Sequence, residues 1–93
     1  MIESFDCDET KKIFEGTRSR KFPLDVQQRA RRKLKMIDAA KTVMDLKVPP
    51  NNKHEVLKGK WKDWHAIRIN DQWRICFLWD KGTASRVHIN DYH

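Results

Sequence analysis

The chain predicts an α+β fold, a small antiparallel sheet with N-terminal helices packed on one face, and three observations carry that reading. Apolar residues recur at spacings of three and four through the first half and at spacings of two through the second. The change happens once, around Pro49-Pro50, so helices and strands are segregated rather than alternating as β/α units. Finally, Ile67 to Trp79 reads as two strands joined by a tight Asn70-Asp71 turn.

Each element follows from its residues. Ile2 to Phe5 suits a short edge strand. Asp6 and Glu9 have the spacing of a capping box, which would open a short helix carrying Ile13 and Phe14 and ending near Gly16. Thr17 to Phe22 is a basic loop holding Arg18, Arg20 and Lys21. Pro23 suits the first turn of a longer helix, whose apolar stripe is Val26, Ala30, Leu34, Ile37 and Ala40. The opposite face of that helix, with Arg29, Arg31, Arg32, Lys33 and Lys35, reads as solvated. Thr42 and Asp45 would cap a last short helix, and Pro49-Pro50 forbids its continuation. The strands then run roughly over 54–57, 64–69, 73–79 and 85–91. Alternation points Ile67, Ile69, Ile75, Phe77, Val87 and Ile89 inward and Arg68, Arg74, Arg86, His88 and Tyr92 outward.

Composition narrows the function. The 93 residues, 39% hydrophobic, suit one compact domain over 1–93. No run approaches 18 apolar residues, and Met-Ile-Glu-Ser-Phe-Asp lacks the basic flank and apolar core of a secretory signal. A cytoplasmic protein without a membrane span is therefore expected. Cys7 and Cys76 fit that compartment as free thiols, and neither has His or Cys neighbours at metal-ligand spacing. Neither metal nor cofactor is expected. Twenty Lys and Arg against 13 Asp and Glu give a net charge of +7, with a pI near 9.7. That surplus favours nucleic acid first, an acidic protein second and an anionic membrane third. No finger spacing, aromatic RNP-type run or Gly-rich phosphate loop is present. The outward sheet face is cationic and aromatic, as a single-stranded RNA site needs to be.

Several stretches also match a family. They are Met1-Ile2 and Ser4-Phe5, Arg32-Lys33-Leu34 with Asp38-Ala39-Ala40, Pro49-Pro50-Asn51 and Leu57-Lys58-Gly59. The eleven residues from Ile67 to Phe77 and the terminal Asp91-Tyr92-His93 are the most specific. On these the chain resembles the HigB toxins of the RelE superfamily, from bacterial type II toxin–antitoxin pairs. The resemblance implies a RelE-like fold and cleavage of mRNA in the A site of the 70S ribosome. It also implies a HigA-type helix-turn-helix antitoxin as partner, through which alone operator DNA would be contacted.

That chemistry sets requirements. Metal-free RNA cleavage needs the ribose 2′-hydroxyl deprotonated and aligned with its own phosphate, the phosphorane stabilised, and a proton delivered to the leaving oxygen. Arg is the natural bidentate clamp for the phosphorane and His the usual proton carrier. Arg74 is the clamp candidate; His54, His65, His88 and His93 are the candidate acids and bases. On the residues alone His65 and His88 are strand packing residues and His93 is an inert terminus. The resemblance changes this for His93, because Asp91-Tyr92-His93 matches the family's terminal catalytic segment, with Tyr92 stacking a codon base. Parity puts Tyr92 on the open face and Asp91 and His93 away from it, unless a twist or strand end falls at Asp91. His54 matches a catalytic histidine of some HigB toxins, although three residues separate it from Lys58 where the better-known pattern has two.

Lys58, Lys60, Lys62 and Arg68 are the expected RNA or ribosome contacts. The stretch Lys60-Trp61-Lys62-Asp63-Trp64 departs from the Asp and later Gly that many relatives carry. Its cations and tryptophans would strengthen contact with RNA, or Trp64 would belong to a patch covered by the antitoxin. Two other functions remain: a ParE-like inhibitor of DNA gyrase, which lacks the RNase residues, and an inhibitor of ribosome biogenesis. Retention of Arg74 and Asp91-Tyr92-His93 favours the nuclease.

Overall fold

The computed structural model describes residues 1–91 and has the predicted class: two helices on one face of a four-stranded antiparallel sheet. The helices are α1, Asp8–Phe14, and α2, Leu24–Ala39; the strands are β1, Glu55–Val56, β2, His65–Arg68, β3, Trp73–Asp80, and β4, Thr83–Asp91. Sheet order follows chain order. The 3₁₀ turns Val43–Lys47, Pro50–Asn52 and Gly59–Trp61 lie in the connections. Among the described residues no helix is long and apolar enough to cross a membrane.

α2 buries the stripe its spacing predicts, Val26, Ala30, Leu34 and Ile37. Pro23 is its N-cap, with φ −56° and ψ 148°, so the helix starts one residue after the proline. The buried amide of Gln27 holds the preceding loop. Its Oε1 accepts from the Ser19 N–H at 2.9 Å, and its Nε2 donates to the carbonyls of Ser19 at 2.8 Å and Phe22 at 2.6 Å. Three well-made bonds satisfy a group that would otherwise be costly to bury. The Asp6–Glu9 capping box does not form. Cys7 is the N-cap of α1, Asp6 pairs with Arg86 Nε at 3.0 Å, and Glu9 accepts from Ser19 Oγ at 2.7 Å and Lys12 Nζ at 2.8 Å. Charged and tertiary donors displace the local cap. Near Thr42 the predicted short helix is a 3₁₀ turn, and Asp45 Oδ2 accepts from the Lys41 and Thr42 N–H groups at 2.9 and 3.2 Å.

β2 and β3 pair Ile67 with Ile75 and Arg68 with Arg74, and Ile75 pairs in turn with Ile89 of β4. All six residues predicted to point inward are buried. The connection is longer than a two-residue turn. Asn70 Oδ1 accepts from the N–H groups of Gln72 at 2.9 Å and Trp73 at 2.8 Å, closing a loop over residues 69–72. Neither Asn70 nor Asp71 has the positive φ that a type I′ turn requires. β4 carries a bulge: Cys76 pairs with His88 but Leu78 with Ser85, leaving Arg86 as the extra residue at φ +54°. Ala84 and Val87 can therefore both face the core.

The predicted N-terminal edge strand is reduced to two parallel bridges, Ile2 to Ala84 and Phe5 to Val87, on the outer side of β4. Asn52, fully buried, fixes the chain ahead of β1. It donates to the Leu46 and Val48 carbonyls at 3.1 and 3.4 Å and accepts from Lys33 Nζ. The second sheet face, expected to be uncovered, is covered at one end. There Trp64, Ala66 and Cys76 form a small buried cluster flanked by Leu57 and Leu78. Trp64, 9% exposed, explains this, since few other side chains remove so much apolar surface from water.

Candidate nucleic-acid interface

The part of the second face left open is built around Arg68 and Arg74. β-Sheet alternation turns both away from the helices, and the β2–β3 register places them directly opposite each other. Like charges in that relation repel. Two carboxylates reduce the repulsion: Glu55 Oε1 lies 3.7 Å from Arg74 Nη1, and Asp71 pairs with Arg68. Arg74 keeps a side-chain exposure of 19%, so its guanidinium is held but reachable. A cavity of about 220 Å³ opens here, lined by Lys53, Glu55, Ala66, Arg68 and Arg74. Its lining carries three cations and one carboxylate, an excess of positive charge suited to an anion. Beside it on β3, Cys76 is fully buried, and that burial pushes its thiol pKa up while Arg74 opposes the shift.

Arg68 also lines a second recess, of about 370 Å³, with Arg29 and Asn51. The positive surface thus continues from the sheet to α2. The basic face of α2 is not simply solvated. Lys33 is held by Asn52, and its pKa is lowered by burial and by Arg32 and Arg29, while Lys35 Nζ sits 4.4 Å from the Phe14 ring centroid.

The other candidates are distributed differently. Lys58, Lys60 and Lys62 are exposed on and beside the 3₁₀ turn Gly59–Trp61, the segment that leads into Trp64. His54 lies on the other side of the sheet from Arg74. Its Nε2 is 3.0 Å from His65 Nδ1, the rings stack with centroids 5.2 Å apart, and His65 in turn stacks on the core residue Phe77 at 5.6 Å. Asp91 pairs opposite Trp73 at the end of β4 and accepts from Gln72 Nε2 at 3.0 Å. Asp91 is the last residue of β4 and pairs opposite Trp73, so its register puts it on the face away from Arg74. The structure therefore brings Arg74 and Arg68 together and does not bring His54 or Asp91 to them. Tyr92 and His93 lie outside the described residues. His88 is a packing residue, as read from its strand position, but its ring packs on the tryptophan pair rather than in the core.

Sequence reasoning missed Lys53, Glu55 and Asn90. Asn90, opposite Arg74 in the register, follows from the same strand parity that put His88 and Tyr92 outward. Lys53 and Glu55 reach the site only because Asn52 turns the chain there, with Lys53 at φ +46°.

The two stacked histidines make stability depend on pH. His54 is held below the ordinary imidazole value by burial, then by His65 and Lys47, and His65 is lowered by burial with Asp63 opposing. The unfolded chain therefore takes up protons first on acidification. Stability should be complete above the unfolded value of 6.5 and fall as pH drops below it, through the lower folded-state values. Thermal midpoints measured from about pH 8 to about pH 5 should show that decline. It should flatten in His54→Gln; an equal decline in that variant would remove the pair as its source.

Comparison with known proteins agrees with this fold. Residues 3–93 match the family described as RelE-like toxin of type II toxin-antitoxin system HigB. The chain is similar to Toxin HigB-1 of Vibrio cholerae serotype O1, 37% identical over 75 residues, covering 81% of this chain and 79% of the relative. It is also similar to Endoribonuclease HigB of Proteus vulgaris, 30% identical over 93 residues and 100% of both chains. A Haemophilus influenzae protein of uncharacterized role is 29% identical over 77 residues, 83% of this chain and 76% of its own length.

Proposed function

Because the chain belongs to the RelE-like toxins of HigB type II toxin–antitoxin systems, we propose that it is a metal-independent endoribonuclease acting in the cytoplasm. It cuts mRNA in the A site of the 70S ribosome and is neutralised by a HigA-type helix-turn-helix antitoxin. The observation that carries this reading is the cross-strand pair of guanidiniums at the open face. Fixed charges held against their own repulsion are preorganised for an anion, and no reorganisation is needed when the phosphorane forms.

In this mechanism the ribosome presents an extended codon to the open face. Arg74 clamps the scissile phosphate as the 2′-oxygen attacks, and Arg68 takes a neighbouring phosphate. Tyr92 stacks a base and His93 carries a proton, both assigned from the family resemblance. Asp91 secures the strand end through Gln72. His54, on the far face, is given no contact with the reacting phosphate. The test is primer extension on a translated reporter after induction. In-frame cuts that vanish when translation of the reporter is blocked support the proposal. DNA breaks with intact mRNA would instead mean gyrase, and accumulation of ribosome precursors would mean an assembly inhibitor.

Lys58, Lys60 and Lys62 supply grip rather than chemistry. Replacing all three with Ala should weaken ribosome association and lower its salt slope by about two, at ~0.7 per phosphate contact. Cleavage should return at high toxin concentration. A salt slope unchanged by the triple replacement would leave these lysines outside the interface.

A further inference from the structure

A further recess on the same face is built from a different chemistry. The turn Gly59–Trp61 lays Trp61 against Trp64, edge to face, with ring centroids 5.5 Å apart. His88 packs on both, 5.4 Å from Trp64 and 6.4 Å from Trp61. The Arg86 guanidinium lies 5.2 Å from the Trp64 centroid. Lys21, from the loop before α2, reaches the same recess, whose volume is about 240 Å³. Trp64 is used up in the core, but Trp61 stays 40% exposed. What sets Trp61 apart from the chain's other exposed apolar side chains is its place in an aromatic cluster with cations beside it.

We propose that this recess binds one unpaired RNA nucleotide, its base stacked on Trp61 and its phosphate held by Lys21 and Arg86. Charge complementarity selects the occupant. Asp6 pairs with Arg86 at 3.0 Å and offsets one charge, but Lys21 remains, and Lys60 and Lys62 flank the tryptophan in sequence. An aromatic face ringed by cations is how proteins hold single-stranded nucleic acid with little sequence preference. Position agrees. His88 and Asn90 are two residues apart on β4, about 7 Å, and Asn90 pairs with Arg74. A single extended strand can therefore run from the guanidinium pair to the tryptophan recess within a nucleotide or two. The inference rests on the RNA-cleaving reading and adds a subsite to it, which holds the strand beside the cut.

The experiment uses a fluorescently labelled, unstructured RNA oligonucleotide, the same oligonucleotide with one abasic position, and a duplex control. Anisotropy titrations compare the wild-type toxin with Trp61→Ala and Trp61→Phe, after thermal unfolding has shown both variants folded. Trp61→Ala should weaken single-strand binding about tenfold, within the range for one stacked base. Trp61→Phe should recover most of that loss, and duplex binding should barely move. The abasic site should cost the wild type affinity and cost Trp61→Ala nothing further. On translated mRNA the loss should appear in KM before kcat. Single-strand binding by Trp61→Ala within twofold of wild type overturns the proposal. So does a variant that keeps RNA affinity but no longer captures its antitoxin, since the recess would then hold protein. The two readings fail separately. A recess that binds RNA through Trp61 in a protein that cuts no message would stand without the nuclease, and message cutting indifferent to Trp61 would leave the nuclease without this subsite.

Discussion

Arg74→Ala is expected to lower cleavage of translated mRNA by about 10²–10³-fold, the usual loss when one preorganised donor is removed from a transition state. Ribosome binding should stay nearly intact, because the charge is needed chiefly when the phosphorane forms. The fold should also tolerate the change. Arg74 faces Arg68 across the strand pair, so its loss removes a repulsion along with the long contact to Glu55. Arg74→Lys should rescue little, since an ammonium offers a point charge where the guanidinium offers a planar fork. The measurements are single-turnover cleavage on programmed ribosomes and co-sedimentation with ribosomes, for the wild type and both variants. If Arg74→Ala loses sedimentation as completely as cutting, the residue binds rather than catalyses and the proposed division between clamp and grip fails.

Phe77→Ala should cost about 3–5 kcal/mol of stability. The ring is fully buried, stacks on His65 at 5.6 Å and meets Trp79 edge-on at 6.3 Å. It sits on β3 across from the bulge in β4, where Ala84 and Val87 converge on the core, and neither is large enough to fill the space left behind. A domain of this size is stable by only ~5–15 kcal/mol, so Tm should fall by roughly 12 °C or more. Urea or thermal unfolding followed by circular dichroism checks this. A loss below ~1 kcal/mol would mean that the core closes over the gap and that Phe77 is not its keystone.

Much of this was legible in the chain. Period-two alternation from Ile67 to Trp79 was enough to put Ile67 and Ile75 on the inner face and Arg68 and Arg74 on a common outer face, but the two-residue turn read at Asn70-Asp71 would have set the register one residue off. The helical stripe from Val26 to Ile37 was equally plain. What stayed hidden depends on partners far away in sequence. No glycine marks Arg86 as the bulge, so the alternation that holds for Val87 and Ile89 could not be carried back to Ala84. Asp6 and Glu9 have capping-box spacing, yet Arg86 and Ser19 claim them through tertiary contacts. His54 precedes a strand of two residues, too short for alternation to assign it a side, and only its stack on His65 does so. Trp64 looked like an exposed aromatic because nothing local shows that Ala66, Cys76 and Leu57 gather beneath it.

The attachment of the first residues to β4 has a consequence for how the molecule is made. The Arg86 N–H donates to Ser4 Oγ across 82 positions, Arg86 Nε bonds Asp6 across 80, and the Ile89 N–H finds Thr10 Oγ1 across 79. The segment before α1 therefore has no permanent seat until β4 has been synthesised and has left the ribosome. Contacts at such separation close late and slowly. A nascent chain can pre-form α2 and the β2–β3 hairpin, but the segment before α1 meets β4 only after about 80 intervening residues have been made, so this closure is among the last steps of folding.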